Sequence, residues 1–318
     1  MEGILARREH KSSASIFKRR TSIPRLARAS SALPALEPSV GTDDIGEVMS
    51  ARRAEAPASL LDHRVEGAAA ILTLDSQASR NGLSLAMIEA LQNALAAIAK
   101  DRKIRVVVLA ARGPVFSSGH DLREIRAHRN DEDHGRAYDE RLMARCAEMM
   151  QAIVALPKPV IAAVEGVATA AGCQLVATCD LAIAGEKARF ALPGVGIGLF
   201  CSTPLVALGR AISRKHAMEM ALTGELYSAR DAERFGLVNR VVSAGGAEEE
   251  AMKLAAAFAK RSAKTLAIGK RTFYGQIEKP LDEAYVFAGR AMVENLAERD
   301  ADEGISAFLD KRTPQWEE

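Results

Sequence analysis

The chain has 318 residues, of which 48% are hydrophobic, and a formal net charge of +2. This length and composition allow one large core of about 250 residues or two smaller cores. The sequence contains no run of eighteen apolar residues, which excludes a transmembrane helix and argues against a membrane as partner.

The basic charge is concentrated in the first 40 residues. They contain eight Lys or Arg and three Glu, whereas the rest of the chain has 35 basic and 38 acidic residues. The segment is rich in Arg, Ser and Ala and has no acid between His10 and Leu36, a composition typical of an organellar transit peptide. An untargeted extension from an upstream start codon and a nucleic-acid-binding arm are the alternatives.

The nucleic-acid alternative is disfavoured because no pattern of a basic or aromatic groove accompanies the tail and the body is mildly acidic. Residues 41–59 are predicted to be a polar connector. We therefore predict that residues 1–58 form a disordered extension or transit peptide plus linker, dispensable for folding. A transit peptide predicts the mitochondrial matrix as location, and an untargeted extension predicts the cytoplasm.

A regular pattern begins after the connector. "AAAILTLD" (68–75) predicts a buried strand, "SLAMIEALQNALAAIAKD" (84–101) an amphipathic helix, and "IRVVVLAA" (104–111) a second apolar strand. "KPVIAAVEG" (158–166) and "CDLAIAGEKARFAL" (179–192) predict one further strand each. Strands separated by a helix favour a parallel sheet in an α/β fold.

The remaining chain is mostly helical. Helices are predicted for "TPLVALGRAI" (203–212), "SRKHAMEMALTG" (213–224) and "SARDAERFG" (228–236), followed by a strand in "LVNRVV" (237–242). Three more helices are predicted from there to Phe308. The four cysteines form no CxxC motif and have no histidine at metal-ligand spacing, so we predict buried, reduced thiols and no metal site.

Two segments could act through their backbones. In "GPVFSSGHDLREI" (113–125) a strand ends in small residues before a charged helix, and in "ATAAGCQL" (168–175) small residues open an apolar helix. Such residues let a ligand approach the main chain, and the first N–H groups of a helix have no partner and carry partial positive charge. Two of these groups that converge could stabilise an oxyanion, although small residues before a helix more often serve packing or capping.

Several motifs, taken together, resemble the enoyl-CoA hydratase/isomerase (crotonase) superfamily. They are "RNGLS", "FSSGHDLREI", "VEGVATAAGCQLVATCDLAIAGEKARFALPGVGIGLF", "TGELYSARDAERFGLVNRVV" and "EGISAFLDKRTPQW", which occur in this order between about residues 60 and 316. Within the superfamily, "ATAAGCQLVA" and "PGVGIGLFCSTP" are similar to a mitochondrial subgroup and its bacterial relatives.

The resemblance implies an α/β fold built as a spiral of ββα turns. It places the spiral core in residues 59–245 and a helical region for trimerisation and lid formation in residues 246–318. It also implies a homotrimer or hexamer. The expected ligand is an acyl-CoA of fatty-acid metabolism, with coenzyme A as part of the substrate and no permanently bound cofactor.

Residue by residue, the resemblance assigns two backbone amides, those of His120 and Ala171, to an oxyanion hole for the thioester carbonyl. The neighbouring positions expected to contact the ligand are Ser118, Gly119, Asp121, Leu122 and Gly172. The His120 imidazole could be a base, but its position varies in the family and a structural role is favoured. The family usually has glycine where this chain has Ala171.

The two glutamates that add water across the double bond in family hydratases fall on Gln174 and Gly194. An amide does not exchange protons near neutral pH and glycine has no side chain, so both carboxylates are missing. We therefore expect inefficient hydration. Two alternatives stay open, an enzyme that needs enolate stabilisation more than two carboxylates and a non-catalytic acyl-CoA-binding or regulatory protein.

Overall fold

Ten strands and eleven helices make up the part of the chain that the computed structural model describes, residues 60–317. The predictions for residues 1–58, including the transit peptide, lie outside these described residues. Among the described helices, none is both long and apolar enough to cross a membrane.

The strands are short, and most are buried. In chain order they are β1 Leu61–Glu66, β2 Ala69–Leu74, β3 Val106–Ala111, β4 Val115–Ser117, β5 Val160–Val164, β6 Val167–Thr169, β7 Leu181–Gly185, β8 Arg189–Ala191, β9 Tyr227–Ser228 and β10 Arg240–Val242. They form a six-stranded sheet in the order β1-β2-β3-β5-β7-β10 and a four-stranded sheet in the order β4-β6-β8-β9. All pairings are parallel except β1 with β2 and β8 with β9.

The helices surround these sheets. They are α1 Leu85–Lys100, α2 Leu122–Ala127, α3 Arg136–Ala155, α4 Ala171–Thr178, α5 Ser202–Ala211, α6 Arg214–Thr223, α7 Ala229–Phe235, α8 Ala247–Ala259, α9 Ala263–Gln276, α10 Leu281–Leu296 and α11 Arg299–Leu309. Short 3₁₀ turns occur at Gln77–Ser79, His128–Asn130 and Pro193–Ile197.

The chain path confirms the predicted spiral of ββα turns. Three times the chain passes from a strand of the larger sheet directly to one of the smaller sheet, at β3 to β4, β5 to β6 and β7 to β8, and a helical segment follows each pair. Since successive turns repeat this path, the ends of β4 and β6 become neighbours. The two segments predicted to act through their backbones contain these two strand ends.

Helix α1 shows why the predicted elements form where they do. The Ser84 side chain accepts a hydrogen bond from the Met87 N–H and so caps the helix. The apolar side chains recur at helical spacing, and five of them are buried against the core: Met87, Ile88, Leu91, Leu95 and Ile98. The prediction of a helix over 84–101 is confirmed.

The two faces of the six-stranded sheet pack against different partners. In β2, Ala70, Leu72 and Leu74 face the main core, whereas Ala69 and Ile71 face a second cluster. Helix α8 completes this second cluster with its buried alanines at positions 247, 251 and 255. The small side chains let the helix lie close to the sheet.

Two predicted segments differ from the structure. The stretch 179–192 contains two strands, β7 and β8, because a turn closed by the Ala188 N–H and the Gly185 carbonyl (2.8 Å) takes the chain to the other sheet. The strand predicted over 237–242 is limited to β10, since the N–H groups of Leu237 and Val238 donate to the carbonyl of Ala232 in α7.

The helical region after residue 246 contains four helices, where three were predicted. Pro280 precedes α10, and Ser262 caps α9. The break between α10 and α11 has neither glycine nor proline, so the sequence offered no clear stop signal there.

A buried polar network attaches α9 to the sheet. The Lys270 ammonium donates to Asp180 (2.7 Å) and to the carbonyls of Ile153 (2.9 Å) and Lys158 (3.0 Å), and the Tyr274 hydroxyl donates to the other Asp180 oxygen (2.9 Å). The Lys270 side chain is only 7% exposed. This network fixes α9 to the C-terminal end of α3 and to the segment just before β7.

Candidate active site

The first backbone segment of the site runs from the end of β4 to α2. The Ser118 N–H donates to the Arg80 carbonyl (3.1 Å), and the Gly119 carbonyl accepts from the Leu83 N–H (2.7 Å). Gly119 has a φ of +87°, a conformation that favours glycine. The chain therefore turns sharply at Gly119 and presents the next amide, that of His120, away from these hydrogen bonds.

Asn81 holds this segment in place, a role that the sequence analysis missed. Its side-chain amide donates to the carbonyls of Arg112 (3.0 Å) and Val115 (2.7 Å), and its side-chain oxygen accepts from the Ser76 N–H (2.8 Å). The Asn81 carbonyl in turn accepts from the Ser117 hydroxyl (2.8 Å). Asn81 is 1% exposed and has a φ of +53°, which asparagine tolerates better than most residues. In the sequence, the dipeptide Asn81-Gly82 was the signal that could have indicated this role.

The second backbone segment is the first turn of α4. A Cβ added to Gly172 would lie 2.2 Å from the Ser117 carbonyl oxygen, so only glycine allows α4 to begin this close to the end of β4. The positive φ in this turn (49°) falls on Ala170, the residue before the helix. Ala171 itself has a negative φ, as a first helical residue requires.

The two segments touch each other. A Cβ added to Gly119 would lie 3.1 Å from the Ala171 nitrogen and 2.9 Å from the Ala170 Cβ. The Thr169 hydroxyl also donates to the Ser118 carbonyl (3.1 Å). The backbone therefore brings the amides of His120 and Ala171 to neighbouring positions.

Within residues 60–317, neither the His120 nor the Ala171 N–H has an acceptor in the protein. The Ala171 N–H also lies at the positive end of the α4 dipole. Two such donors can bind a carbonyl oxygen and stabilise negative charge that develops on it, which is the chemistry of an oxyanion hole.

The His120 imidazole is tied to the neighbouring loop. Its Nδ1 lies 3.1 Å from the Leu83 carbonyl oxygen, and since a carbonyl only accepts, Nδ1 carries the proton. Nε2 then has a lone pair, and it is buried without a partner. Burial lowers the pKa of the imidazole more than the bond to Leu83 raises it. The ring is therefore neutral at pH 7 and anchors the segment that holds the His120 amide.

Gln174 lies one turn into α4 and is 6% exposed. Its side-chain oxygen is buried and has no hydrogen-bond partner within the described residues. A buried amide oxygen without a donor is costly, and it can accept a hydrogen bond from a ligand or a water molecule. The side chain cannot supply a proton.

Gly194 is buried in the 3₁₀ turn after β8, and its lack of a side chain does not leave an open space. A Cβ added there would lie 2.8 Å from the Leu199 carbonyl oxygen and 2.9 Å from the Cys201 sulfur. Residues 199–201 thus occupy the place where a side chain at position 194 would begin.

The other carboxylates near the site have structural partners. Asp121 caps α2 by accepting from the Arg123 N–H, and Glu124 accepts from the Tyr138 hydroxyl (2.7 Å). The two acids at the start of α3 form ion pairs, Asp139 with Arg129 and Glu140 with Arg136. Glu165 accepts from the N–H groups of Gly245 (2.9 Å) and Ala247 (2.7 Å) and so caps α8.

The four cysteines are buried and free, as predicted. Burial raises the pKa of Cys146 to about 11 and that of Cys173 to about 12. It also raises the pKa of Cys201, although a hydrogen bond from the Gly194 backbone opposes this effect. These thiols are protonated at neutral pH, which disfavours a nucleophilic role.

The positions expected to contact a ligand differ in exposure. Gly119 and Gly172 are buried and serve the contact between the two segments, and Ser118 is half-buried beside them. Asp121 uses its side chain as the helix cap. The Leu122 side chain is 51% exposed and lies at the outer edge of the site.

Comparisons with known proteins agree with this geometry. The sequence profile described as enoyl-CoA hydratase/isomerase matches residues 64–318. The chain is 48% identical over 245 residues to a human protein named enoyl-CoA hydratase domain-containing protein 3, mitochondrial, covering 77% of this chain and 79% of that protein.

Two solved structures are also similar. The crystal structure of human enoyl coenzyme A hydratase domain-containing protein 3 matches with a TM-score of 0.77 and 46% identity, covering 81% of this chain and 100% of the other. The crystal structure of an enoyl-CoA hydratase from Mycobacterium smegmatis matches with a TM-score of 0.77 and 49% identity, covering 81% and 99%.

Proposed function

The chain belongs to the enoyl-CoA hydratase/isomerase family, as its motifs predicted, and from this premise we propose that it binds an acyl-CoA and polarises the thioester carbonyl between the amides of His120 and Ala171. The observation that supports this most directly is the contact between Gly119 and residues 170–171, which brings together two amides that have no acceptor within residues 60–317. The mitochondrial names of similar proteins favour the mitochondrial matrix as its location.

The proposed chemistry excludes efficient hydration. Neither Gln174 nor Gly194 can move a proton, and general acid-base catalysis contributes about 10²- to 10⁴-fold. The oxyanion hole is retained, and each of its donors is worth roughly 10²- to 10³-fold. Reactions that depend mainly on enolate stabilisation, such as a double-bond shift, a thioester hydrolysis or a decarboxylation, fit this site better.

A non-catalytic acyl-CoA-binding or regulatory protein is the second candidate. The packing around Gly194 favours it, because Leu199 and Cys201 fill the position from which a second carboxylate would extend. Incubation with a panel of acyl-CoAs followed by mass spectrometry separates the two candidates. A new product identifies an enzyme and its reaction, whereas unchanged thioesters that bind tightly identify a binding protein.

Ala171→Pro tests the oxyanion hole itself. Proline lacks the N–H group, so the change removes one donor. Because a residue before proline prefers an extended conformation and Ala170 has a φ of 49°, circular dichroism and thermal unfolding verify that the variant folds. The readout is the absorbance shift of a bound cinnamoyl-CoA, which depends on polarisation of its carbonyl. Crotonyl-CoA and free crotonate are compared by calorimetry, and we expect the unaltered protein to prefer the thioester.

The control is Ala263→Pro, the same change at the first residue of α9. In that helix the Ser262 side chain accepts a hydrogen bond from the Thr265 N–H. We expect a reduced absorbance shift in Ala171→Pro and a normal one in Ala263→Pro. Equal shifts in both variants would contradict the assignment of the Ala171 amide. Equal affinities for crotonyl-CoA and crotonate would contradict thioester recognition.

A further inference from the structure

Positive charge is concentrated at one edge of the six-stranded sheet, where β2, β3 and β5 begin. These strands are parallel, so the residues before them lie side by side, and the loop that leads from α1 into β3 reaches the same edge. The junction between α8 and α9 is held there too, because the Arg105 guanidinium donates to the Arg261 carbonyl (2.5 Å). Together the basic residues of these segments form the basic edge: Lys100, Arg102, Lys103, Arg105, Lys158, Lys260 and Arg261.

Two of these residues hold the edge together, and the other five are exposed. The Lys158 ammonium donates to the Asp101 carbonyl (2.7 Å) and to that of Ile98 at the end of α1, and Arg105 makes the bond to the α8–α9 junction. Burial lowers the pKa of Lys158, the Asp101 carboxylate opposes this effect, and the positive charge of Arg105 adds to it. Within residues 60–317, none of the seven basic side chains forms an ion pair.

Acids on the same elements do not balance this charge. Glu66 lies opposite Ala69 at the end of β1, and the Asp101 carboxylate accepts from the Lys103 N–H (2.9 Å). Seven basic residues therefore stand against two acids, whereas the chain after residue 40 has 35 basic and 38 acidic residues. Exposed like charges repel one another, and an anionic surface that approaches them relieves this repulsion.

The basic edge is separate from the thioester site, and an aromatic side chain lies beside it. The chain leaves the edge through β3 and β5 and reaches the amides of His120 and Ala171 only after β4 and β6. The Trp316 indole N–H donates to the Lys260 carbonyl (2.8 Å), and the residue is partly exposed. A cluster of Lys and Arg with a neighbouring Trp is typical of surfaces that bind anionic lipid headgroups.

We propose that the basic edge binds the surface of an anionic lipid bilayer and holds the protein against it. Contact of this kind uses charge and requires no membrane-spanning helix. A nucleic-acid strand would continue past the edge onto a body in which acids outnumber bases, whereas a planar bilayer needs to meet only the edge. The proposal goes beyond acyl-CoA binding and does not depend on it.

The test is co-sedimentation of the purified full chain with phospholipid vesicles. Vesicles of phosphatidylcholine that contain phosphatidylserine are compared with vesicles of phosphatidylcholine alone. We expect binding only to the anionic vesicles. We also expect this binding to weaken when the salt concentration rises from about 0.05 M to about 0.5 M, because salt screens exposed charges.

An edge variant, Arg102→Glu with Lys103→Glu, reverses two charges of the basic edge. Each Lys or Arg near an anionic bilayer contributes about fivefold to affinity, so we expect this variant to bind anionic vesicles at least about tenfold more weakly. The control variant, Lys187→Glu with Lys215→Glu, makes the same change of net charge at exposed positions after β7 and in α6. We expect it to weaken binding less than about threefold.

Both variants and the unaltered protein carry the same basic N-terminal segment, so a difference between the variants reports on the edge. Circular dichroism verifies the fold of each variant. Equal losses in the two variants would overturn the proposal, because net charge or the N-terminal segment would then cause the binding. Equal binding to neutral and anionic vesicles, or binding to neither, would also overturn it.

Nucleic acid is tested as the competing partner with fluorescent polyuridine RNA and duplex DNA. Nucleic-acid binding that the edge variant loses, in a protein that does not bind anionic vesicles, would overturn the lipid assignment and give the edge to nucleic acid. Acyl-CoA plays no part in these measurements, so none of their outcomes bears on the proposed function.

Discussion

At the residue scale, the smallest side chains of the site have the largest structural effect. Gly172 and Gly119 let two backbone segments come into contact, and a methyl group at either position would meet backbone or Cβ atoms at less than 3 Å. The polar side chains around them, from Asn81 to His120, hold the backbone rather than face a substrate. The site is thus built from main-chain donors in fixed positions.

Restoring both carboxylates should raise crotonyl-CoA hydration, and the structure adds a condition. A Cβ at position 194 would meet the Leu199 carbonyl oxygen and the Cys201 sulfur, and Cys201→Ala removes the second of these contacts. We therefore expect the triple variant Gln174→Glu, Gly194→Glu, Cys201→Ala to gain more activity than the double variant with Cys201 retained. Proton addition and removal act as a unit, so Gln174→Glu alone should gain little.

The measurement is the rate of crotonyl-CoA hydration, and Gln151→Glu, at an exposed position of α3, is the control for added charge. Rapid hydration by the unaltered protein would contradict the assignment, since it would require another acid-base group. A folded triple variant that binds CoA thioesters and shows no gain would show that the two positions have been misassigned.

His120 should make the protein less stable in acid. Its pKa in the folded state is lowered by burial, so below about pH 6.5 the unfolded chain binds a proton that the folded chain does not. This contribution to stability is present above pH 6.5 and is lost as the pH falls through the folded-state pKa. Urea unfolding at about pH 7.5 and about pH 5.5 measures the difference.

His120→Gln should reduce that pH dependence, because glutamine can still donate to the Leu83 carbonyl but does not titrate. His63→Gln, at an exposed position of β1, should leave it unchanged. The same loss of stability in all three proteins would show that other groups cause the acid sensitivity.

Not all of the site could be predicted from the sequence. The two small-residue segments follow from local sequence, and the positions proposed for the missing acids follow from the family resemblance. The support from Asn81 does not, because its partners at residues 76, 112 and 115 come together only in the fold. The packing at Gly194 also depends on how the chain returns after the 3₁₀ turn.

At the element scale, the buried ion pair of α9 is the contact that a substitution should disturb most. Removing one partner of such a pair leaves an uncompensated buried charge, which costs about 3 to 5 kcal/mol. We expect Lys270→Met to lower the free energy of unfolding by an amount of this order, since Asp180 would lose its cation. Chemical denaturation measures it.

The control is Lys264→Met on the same helix. Lys264 is 57% exposed and pairs with Glu298, so its removal should cost less than about 1 kcal/mol. Equal losses of unfolding free energy in the two variants would mean that the Asp180 network stabilises the fold no more than a surface ion pair does.

The elements that the sequence predicted are those with strong local signals. Helix α1 has a capping serine and a long apolar face, and β3 and β5 are continuous apolar runs. Several elements that it missed are short or set by distant partners: β6 and β9 have three and two residues, and β1 is largely exposed. No bounds were predicted for the 20-residue helix α3 either. Local patterns contain little information about such strands.

At the scale of the whole molecule, the C-terminal helices expose more apolar surface than is usual for a monomeric protein. The side chains of Leu281, Tyr285, Phe308 and Leu309 are each more than 70% exposed. Large apolar patches of this kind mark interfaces. We expect light scattering to show a trimer or a hexamer.

Phe308→Glu should shift the protein towards smaller species, because a charge would be buried in the interface. Ala256→Glu places the same charge at an exposed position of α8 and should leave the assembly unchanged. A monomer at micromolar concentration in the unaltered protein would contradict the prediction.

The cap that Glu165 gives to α8 affects how the chain folds during synthesis. The carboxylate and the Ala247 N–H are 82 residues apart, so at roughly 5 to 20 residues per second the ribosome needs about 4 to 16 s to complete the pair. Until then the apolar face formed by Ile71, Val106 and Val108 lacks its helix. The nascent chain therefore passes through a stage with an uncovered sheet, at which a chaperone that shields apolar surface would protect it from aggregation.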